Sequence, residues 1–208
     1  MNIIVKCVVV GAIETNCFVA ADSETLEGVV IDPGEEAGKI LRVIDENKIK
    51  VKYIILTHGH YDHIGAVEEI KIKTGAKLLA HKEDNIFMEH PELNGSSLFG
   101  DGTDKVSADK YIAGDDIIRA GKMELKVIHT PGHTPGGICL LTGKHLFSGD
   151  TLFYGSIGRT DFPHANHEEM LKSLEKLMKL DDDVRVYPGH GEMTTIGFER
   201  RKNPFIER

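Results

Sequence analysis

Three runs rich in β-branched and apolar residues open the chain, Ile3 to Val10, Asn16 to Ala20 and Gly28 to Ile31. Each has the length and content of a strand, and together they predict successive strands of one sheet. The third ends in Asp32-Pro33-Gly34, a turn signature in which Pro and Gly supply the dihedrals. From Glu35 to Asn47 the period changes, because Ala37, Ile40, Leu41 and Ile44 recur at three and four residues, the stripe of an amphipathic helix. Val51 to Leu56 predicts a buried strand. Ile64, Val67 and Ile70 then restore helical spacing up to Gly75, and Ala76 to Ala80 predicts a short strand. His81 to Gly102 is expected to form an irregular helical or lid-like segment.

The second half repeats the theme. Tyr111 to Ala113, Asp116 to Ile118, Glu124 to Ile128, Ile138 to Thr142 and His145 to Ser148 are predicted strands separated by Gly-rich turns, the pattern of a second sheet. A helix is predicted from His167 to Leu180, with Met170, Leu171, Leu174, Leu177 and Met178 on one face. Val184 to Tyr187 is the last predicted strand. Two β-rich halves, each with helices, predict two sheets packed face to face with helices outside.

Composition narrows the function. With 208 residues, 40% apolar and 28% charged, the chain can bury a core and is no disordered tail. A formal charge of -8 argues against a nucleic-acid binder, which needs a basic surface, while leaving room for a small anionic ligand. No run approaches the roughly 20 apolar residues of a membrane helix, and Met1 to Ala12 lacks the basic head and apolar stretch of a signal peptide, so a cytoplasmic location is expected. Cys7, Cys17 and Cys139 are too few and too scattered for a disulfide framework or a sulfur-ligated metal. The eleven histidines are the departure, and they are clustered.

His58-x-His60-x-Asp62-His63 puts four potential ligands into six positions where a predicted strand ends. In an extended tip His58 and His60 share a face, while Asp62 and His63 begin the next turn, so one loop can feed two adjacent coordination spheres. Three more candidates also follow predicted strands: His133 in Pro131-Gly132-His133, Asp150 in Ser148-Gly149-Asp150 and His190 in Pro188-Gly189-His190. Gly before each lets the backbone turn sharply and approach an ion. Zinc and iron favour imidazole nitrogen and carboxylate oxygen. Metal-bound imidazoles usually need an acceptor on the other ring nitrogen, for which Asp32 is a candidate, and His129 is expected to orient a neighbour by hydrogen bonding rather than to bind metal. His81, His90, His145, His164 and His167 read as surface or turn residues.

These motifs, in this order and over nearly the whole chain, closely resemble the metallo-β-lactamase superfamily, whose fold is an α+β four-layer αββα sandwich. The resemblance implies that His58, His60 and His133 hold one divalent ion, that Asp62, His63 and His190 hold a second, and that Asp150 bridges both. Zinc is expected, with iron or manganese as alternatives. β-Lactamases of this fold typically carry Cys where Asp150 stands. Gly149 through Phe162, together with the stretch from Gly191 to Pro204, instead resembles the short bacterial glyoxalase II-like hydrolases. That implies hydrolysis of S-lactoylglutathione or a related small-molecule thioester by a metal-bridging hydroxide. Asp62 would hold its proton, Arg159 would clamp a substrate carboxylate, and Tyr154 would line the mouth. The longer enzymes continue into a helical glutathione-binding domain after the last His, whereas here a short tail follows His190, so one domain over 1–208 is expected. Gly158 to Phe162 is also similar to the persulfide dioxygenases, which implies as the alternative a single iron held by His58, His133 and Asp150.

Overall fold

Successive side chains of a strand point to opposite faces, and along Thr15–Asp22 both faces are covered, since all eight residues are buried. Cys17, Val19 and Ala21 join one apolar cluster, Phe18 and Ala20 another. A strand buried on both sides must lie in an inner layer. Residues 2–100 and 105–206 are described by the structure, a computed structural model, and they place that strand in the first of two central sheets.

The first sheet runs in the order β1 (Ile3–Val10), β2 (Thr15–Asp22), β3 (Glu27–Ile31), β4 (Lys50–Ile55), β5 (Lys77–His81) and β6 (Lys110–Ile112). β1 to β3 are antiparallel, and β3 to β6 are parallel. The parallel crossovers carry helices α1 (Ala37–Glu46), α2 (Tyr61–Ile64) and α3 (Val67–Thr74), then the short α4 (Asn85–Glu89), α5 (Pro91–Asn94) and α6 (Ser96–Phe99). Ala37, Ile40 and Ile44 of α1 and Val67 and Ile70 of α3 bury against the outer face of this sheet.

The second sheet comprises β7 (Ile117–Ala120), β8 (Met123–His129), β9 (Ile138–Thr142) and β10 (His145–Gly149). After the small hairpin of β11 (Leu152–Phe153) and β12 (Ser156–Ile157) and helix α7 (His167–Leu177), β13 (Arg185–Pro188) and β14 (Thr194–Thr195) complete it before α8 (Ile196–Lys202). Its order is β14-β13-β10-β9-β8-β7. Met170, Leu174 and Leu177 of α7 and Ile196 of α8 cover its outer face beside Cys139, Leu146 and Val186. Leu125, Val127, Leu140 and Phe147 face inward against Phe18, Val29, Ile31 and Ile55. The result is the expected four-layer α+β sandwich. Phe18 clamps the sheets together, with its ring centroid 5.4 Å from Phe147 and 5.6 Å from Tyr187; each such aromatic pair adds about 0.5–1.5 kcal/mol beyond its buried area.

Two expectations need correction. The strand predicted over Tyr111 to Ala113 as part of the second sheet forms instead over Lys110–Ile112 and pairs in parallel with β5, Leu79 opposite Lys110 and His81 opposite Ile112. The chain leaves β5 through the short helices and returns to the same edge before crossing over. His81 is no surface residue either, because it ends an inner strand, is buried, and stacks on His129 at 4.3 Å between centroids. The end of the lid-like segment, 101–102, lies outside the described residues. Among the described residues no helix is long and apolar enough to cross a membrane.

Candidate metal centre

β3, β4, β8, β10 and β13 all end at one edge of the sandwich, and the residues that follow them converge there. The tip after β4 carries His58, His60, Asp62 and His63, the tip after β8 carries His133, and Asp150 and His190 follow β10 and β13. The two sheets are stitched together at this edge. Ile138 N–H donates to the Thr57 carbonyl at 2.9 Å, and Asn16 N–H donates to the Gly189 carbonyl at 2.7 Å. Gly149 turns with φ 48°, and any Cβ there would stand 2.3 Å from Thr57 Oγ1.

Potential ligand atoms fall into overlapping groups: His58, His60 and His133; His58, His63 and Asp150; Asp62, His63 and His190. Within each, the atoms lie within 4.8 Å of one another. Asp150 sits between the first and last groups, with Oδ1 3.5 Å from His63 Nε2 and Oδ2 3.6 Å from His133 Nε2 and 3.7 Å from His190 Nε2. All seven expected ligands are therefore brought together.

The ring orientations follow from what holds each back nitrogen. Thr57 Oγ1 donates to Asp32 Oδ2 at 2.6 Å, so at 3.2 Å it accepts from His58 Nδ1, leaving the His58 Nε2 lone pair facing inward. His133 Nδ1 donates to the Arg159 carbonyl at 2.8 Å and His190 Nδ1 to the Ile13 carbonyl at 3.2 Å. His63 Nδ1 lies 3.1 Å from Asp32 Oδ2. Four imidazoles thus present Nε2 to the centre, while His60 presents Nδ1, 2.9 Å from His133 Nε2. Asp32 also accepts the Thr57 N–H at 2.7 Å, so one buried carboxylate braces both ends of the His58–His63 tip. His129 Nε2–H donates to the Pro135 carbonyl at 2.9 Å, bracing the loop that carries His133.

These residues fit bound divalent metal. His58 Nε2, both ring nitrogens of His63 and Asp150 Oδ1 are buried without a hydrogen bond of good geometry. Buried polar atoms are normally satisfied, and among the described residues three such exceptions, His58 Nε2, His63 Nε2 and Asp150 Oδ1, point into one cluster of nitrogen and oxygen donors, the chemistry that zinc, iron and manganese accept. The electrostatics divide the cluster in two. Burial and neighbouring imidazoles push His58 well below the usual histidine range and His60 down to about 3, so these two rings hold neutral lone pairs. Burial also opposes charge on His63, but Asp62, Asp32 and Asp150 overcome it and raise its pKa well above the ordinary value. His190 is raised by Asp62 and Asp150 against its own burial. Asp62, despite burial, is held well below the carboxylate range by His63 and His190.

The two expected substrate contacts lie differently. Arg159 forms a two-pronged pair with Asp161, at 2.9 and 2.8 Å, and its guanidinium lies 4.1 Å from the Phe162 ring. Phe162 in turn sits 5.9 Å from His60 and 6.1 Å from His133 between ring centroids, so Arg159 stands on the rim of the first half. Tyr154 is not gathered into the cluster. Half exposed, it stacks on Phe198 at 4.8 Å and lines a groove of about 350 Å³ with Met193 and Arg185.

Sequence reasoning missed Asp84, which follows β5 in a single 3₁₀ turn and is 1% exposed. It bonds to the loops of both His58 and His133. The available signal was indirect: Gly59 and Gly136 have no room for a Cβ beside it.

The fold is shared with known proteins. Residues 10–190 match the family described as Metallo-beta-lactamase superfamily. The hydroxyacylglutathione hydrolase GloC of Haemophilus influenzae is 36% identical over 211 residues, covering 99% of this chain and 98% of that protein. Among solved structures, the BLEG-1 B3 metallo-beta-lactamase superposes with a TM-score of 0.93 at 36% identity, over 99% of this chain and 100% of its own. TTHA1623 in a di-iron-bound form gives 0.84 at 32%, over 97% and 100%. ETHE1 from Myxococcus xanthus gives 0.81 at 30%, over 97% and 83%.

Proposed function

The chain belongs to the metallo-beta-lactamase superfamily, and from that premise we propose that it is a dinuclear metal-dependent thioester hydrolase of the glyoxalase II type, acting on S-lactoylglutathione or a related thioester. The observation that carries this reading is Asp150 standing between the two halves of the cluster, with Oδ2 near both His133 of the first and His190 of the second and Oδ1 near His63. Similarity to GloC over the full chain supports it. His58, His60 and His133 would hold one ion, Asp62, His63 and His190 the other, and Asp150 both, with zinc the proposed metal and iron or manganese suited to the same donors. When bound, such ions supply an acidified water and Lewis acidity at the substrate carbonyl.

The protein's own groups then divide the work. Asp62 Oδ2 accepts from Thr15 Oγ1 at 2.9 Å and faces His190 Nε2 at 3.1 Å and His63 Nε2 at 3.2 Å, which fixes the carboxylate and keeps it ionised. Its other oxygen, Oδ1, takes the proton of the attacking water and aims the lone pair at the acyl carbon. The C–S bond breaks as the new C–O bond forms. A thiolate whose parent pKa is near ~8.5 departs without a protein acid, and the proton from Asp62 returns to it or to solvent. Arg159, on the rim, offers a planar fork for a carboxylate of the substrate.

Similarity to the ETHE1 structure favours a second reading, a persulfide dioxygenase with one iron held by His58, His133 and Asp150, the pattern of two imidazoles and a carboxylate. One pair of assays separates them. Metal-replete protein should release thiol from S-lactoylglutathione, leave nitrocefin intact and consume no oxygen with glutathione persulfide. Oxygen uptake without thiol release would replace the first reading with the second.

A further inference from the structure

Asp84 is a buried carboxylate whose partners are all donors. Oδ2 accepts the Gly59 N–H at 2.8 Å and the Thr134 hydroxyl at 2.8 Å, and Oδ1 accepts the Gly136 N–H at 2.6 Å. Gly59 lies between His58 and His60, and Thr134 directly follows His133. A single side chain is therefore bonded to both loops that supply the first half of the metal centre, loops that come from different sheets. We propose that Asp84 is a positioning residue for the metal centre, setting the spacing of His58 and His60 against His133.

Chemistry explains why a carboxylate occupies this position. Three donors converge from two sides, and two of them are backbone N–H groups that cannot turn around. Two acceptor oxygens on one planar group satisfy them, whereas an amide would turn its NH₂ toward an N–H and leave a donor unpaired. The close approach is built into the backbone as well. A Cβ on Gly136 would stand 2.6 Å from Asp84 Oδ1, and one on Gly59 would stand 3.0 Å from the Asp84 carbonyl oxygen. Burial pushes the Asp84 carboxyl up to about 6 against the pull of its three donors, so at neutral pH it is the ionised acceptor the geometry requires. The short 3₁₀ turn of Lys82–Asp84, continuing into α4, delivers it from the end of β5.

The inference rests on the metal centre proposed above but not on the thioester substrate, so it is read out by metal retention. Metal-loaded wild type, Asp84→Asn and Gly136→Ala are mixed with excess colorimetric chelator at neutral pH, well below each protein's Tm, and the rate and extent of metal release are followed. Loss of an outer partner of metal ligands typically costs about 10- to 100-fold in metal affinity, and that is the weakening expected for both variants. A contribution to folding alone would lower Tm and leave metal release unchanged below it. Should Asp84→Asn not fold, Thr134→Val, which keeps the volume and deletes only the hydroxyl, is expected to weaken retention in the same direction. A folded variant that holds metal as tightly as wild type, whatever its Tm, overturns the assignment. Wild type that takes up no metal at all would instead defeat the proposed centre.

Discussion

The ring of His133 is oriented by the backbone of Arg159, whose carbonyl oxygen accepts the Nδ1 proton at 2.8 Å. One residue thus touches the metal centre through its main chain and the rim through its guanidinium, and substitution separates the two roles. Arg159→Ala keeps the carbonyl and removes the fork. Metal content should stay at the wild-type level while KM for a carboxylate-bearing thioester rises about tenfold or more, the worth of a charge-assisted contact of roughly 1.5–3 kcal/mol. Steady-state kinetics beside metal analysis checks this, and an unchanged KM would leave Arg159 as a surface partner of Asp161.

Gly189 tests how tightly the backbone is drawn against the ligands. A Cβ there would lie 2.2 Å from Asp150 Oδ1 and 2.9 Å from His63 Cε1. Gly189→Ala should cost about 1–3 kcal/mol of stability by overpacking, together with a much larger fractional loss of metal affinity, because the displaced atoms are proposed ligands. Metal titration and thermal melting of the variant, compared with wild type, report the two effects separately. Wild-type affinity would mean that Asp150 does not need its present position.

Proton counting tests the division of the cluster. In the metal-free protein His58 and His60 are held neutral, whereas the carboxylates around His63 and His190 favour their charged forms. An imidazolium must lose its proton before it can donate a lone pair. Filling the Asp62, His63 and His190 half near neutral pH should therefore release up to about two protons and weaken as pH falls, while these two groups in the other half release none. Calorimetric titrations in buffers of different ionisation enthalpy measure this. Identical proton release at both steps would contradict it.

His60→Ala removes the imidazole that, unlike the other four described in the cluster, faces the centre through Nδ1. Most bound metal should be lost and hydrolysis should fall at least about a hundredfold, beyond the usual effect of outer partners. Elemental analysis and thiol release follow the two losses together. Retained activity at reduced metal content would point to a mononuclear centre.

Much of this arrangement is legible in the sequence because its signals are local. The alternation of Cys17, Phe18, Val19 and Ala20 between two cores, and the three- and four-residue spacing of Ala37, Ile40 and Ile44, are properties of short windows. The ligands announce themselves by following Gly or ending strands. What stayed hidden depends on partners far along the chain. Lys110-Tyr111-Ile112 carries no mark of which sheet it joins, since only its register with Leu79 to His81 decides that. Leu152–Phe153, Ser156–Ile157 and Thr194–Thr195 are too short to show a period. Asp84 is one of 33 acidic residues, and its donors are 25, 50 and 52 positions away. Asp32 illustrates the middle case, for its turn position is evident while its grip on Thr57 and His63 appears only when the strands are assembled.

The most direct test of the central claim is to add metal stepwise to metal-free protein while counting bound ions and measuring thiol release from S-lactoylglutathione in the same samples. The expected result is two ions per chain, with turnover rising as the second binds. Full turnover with one ion or none, or two bound ions and no release of thiol, would contradict it.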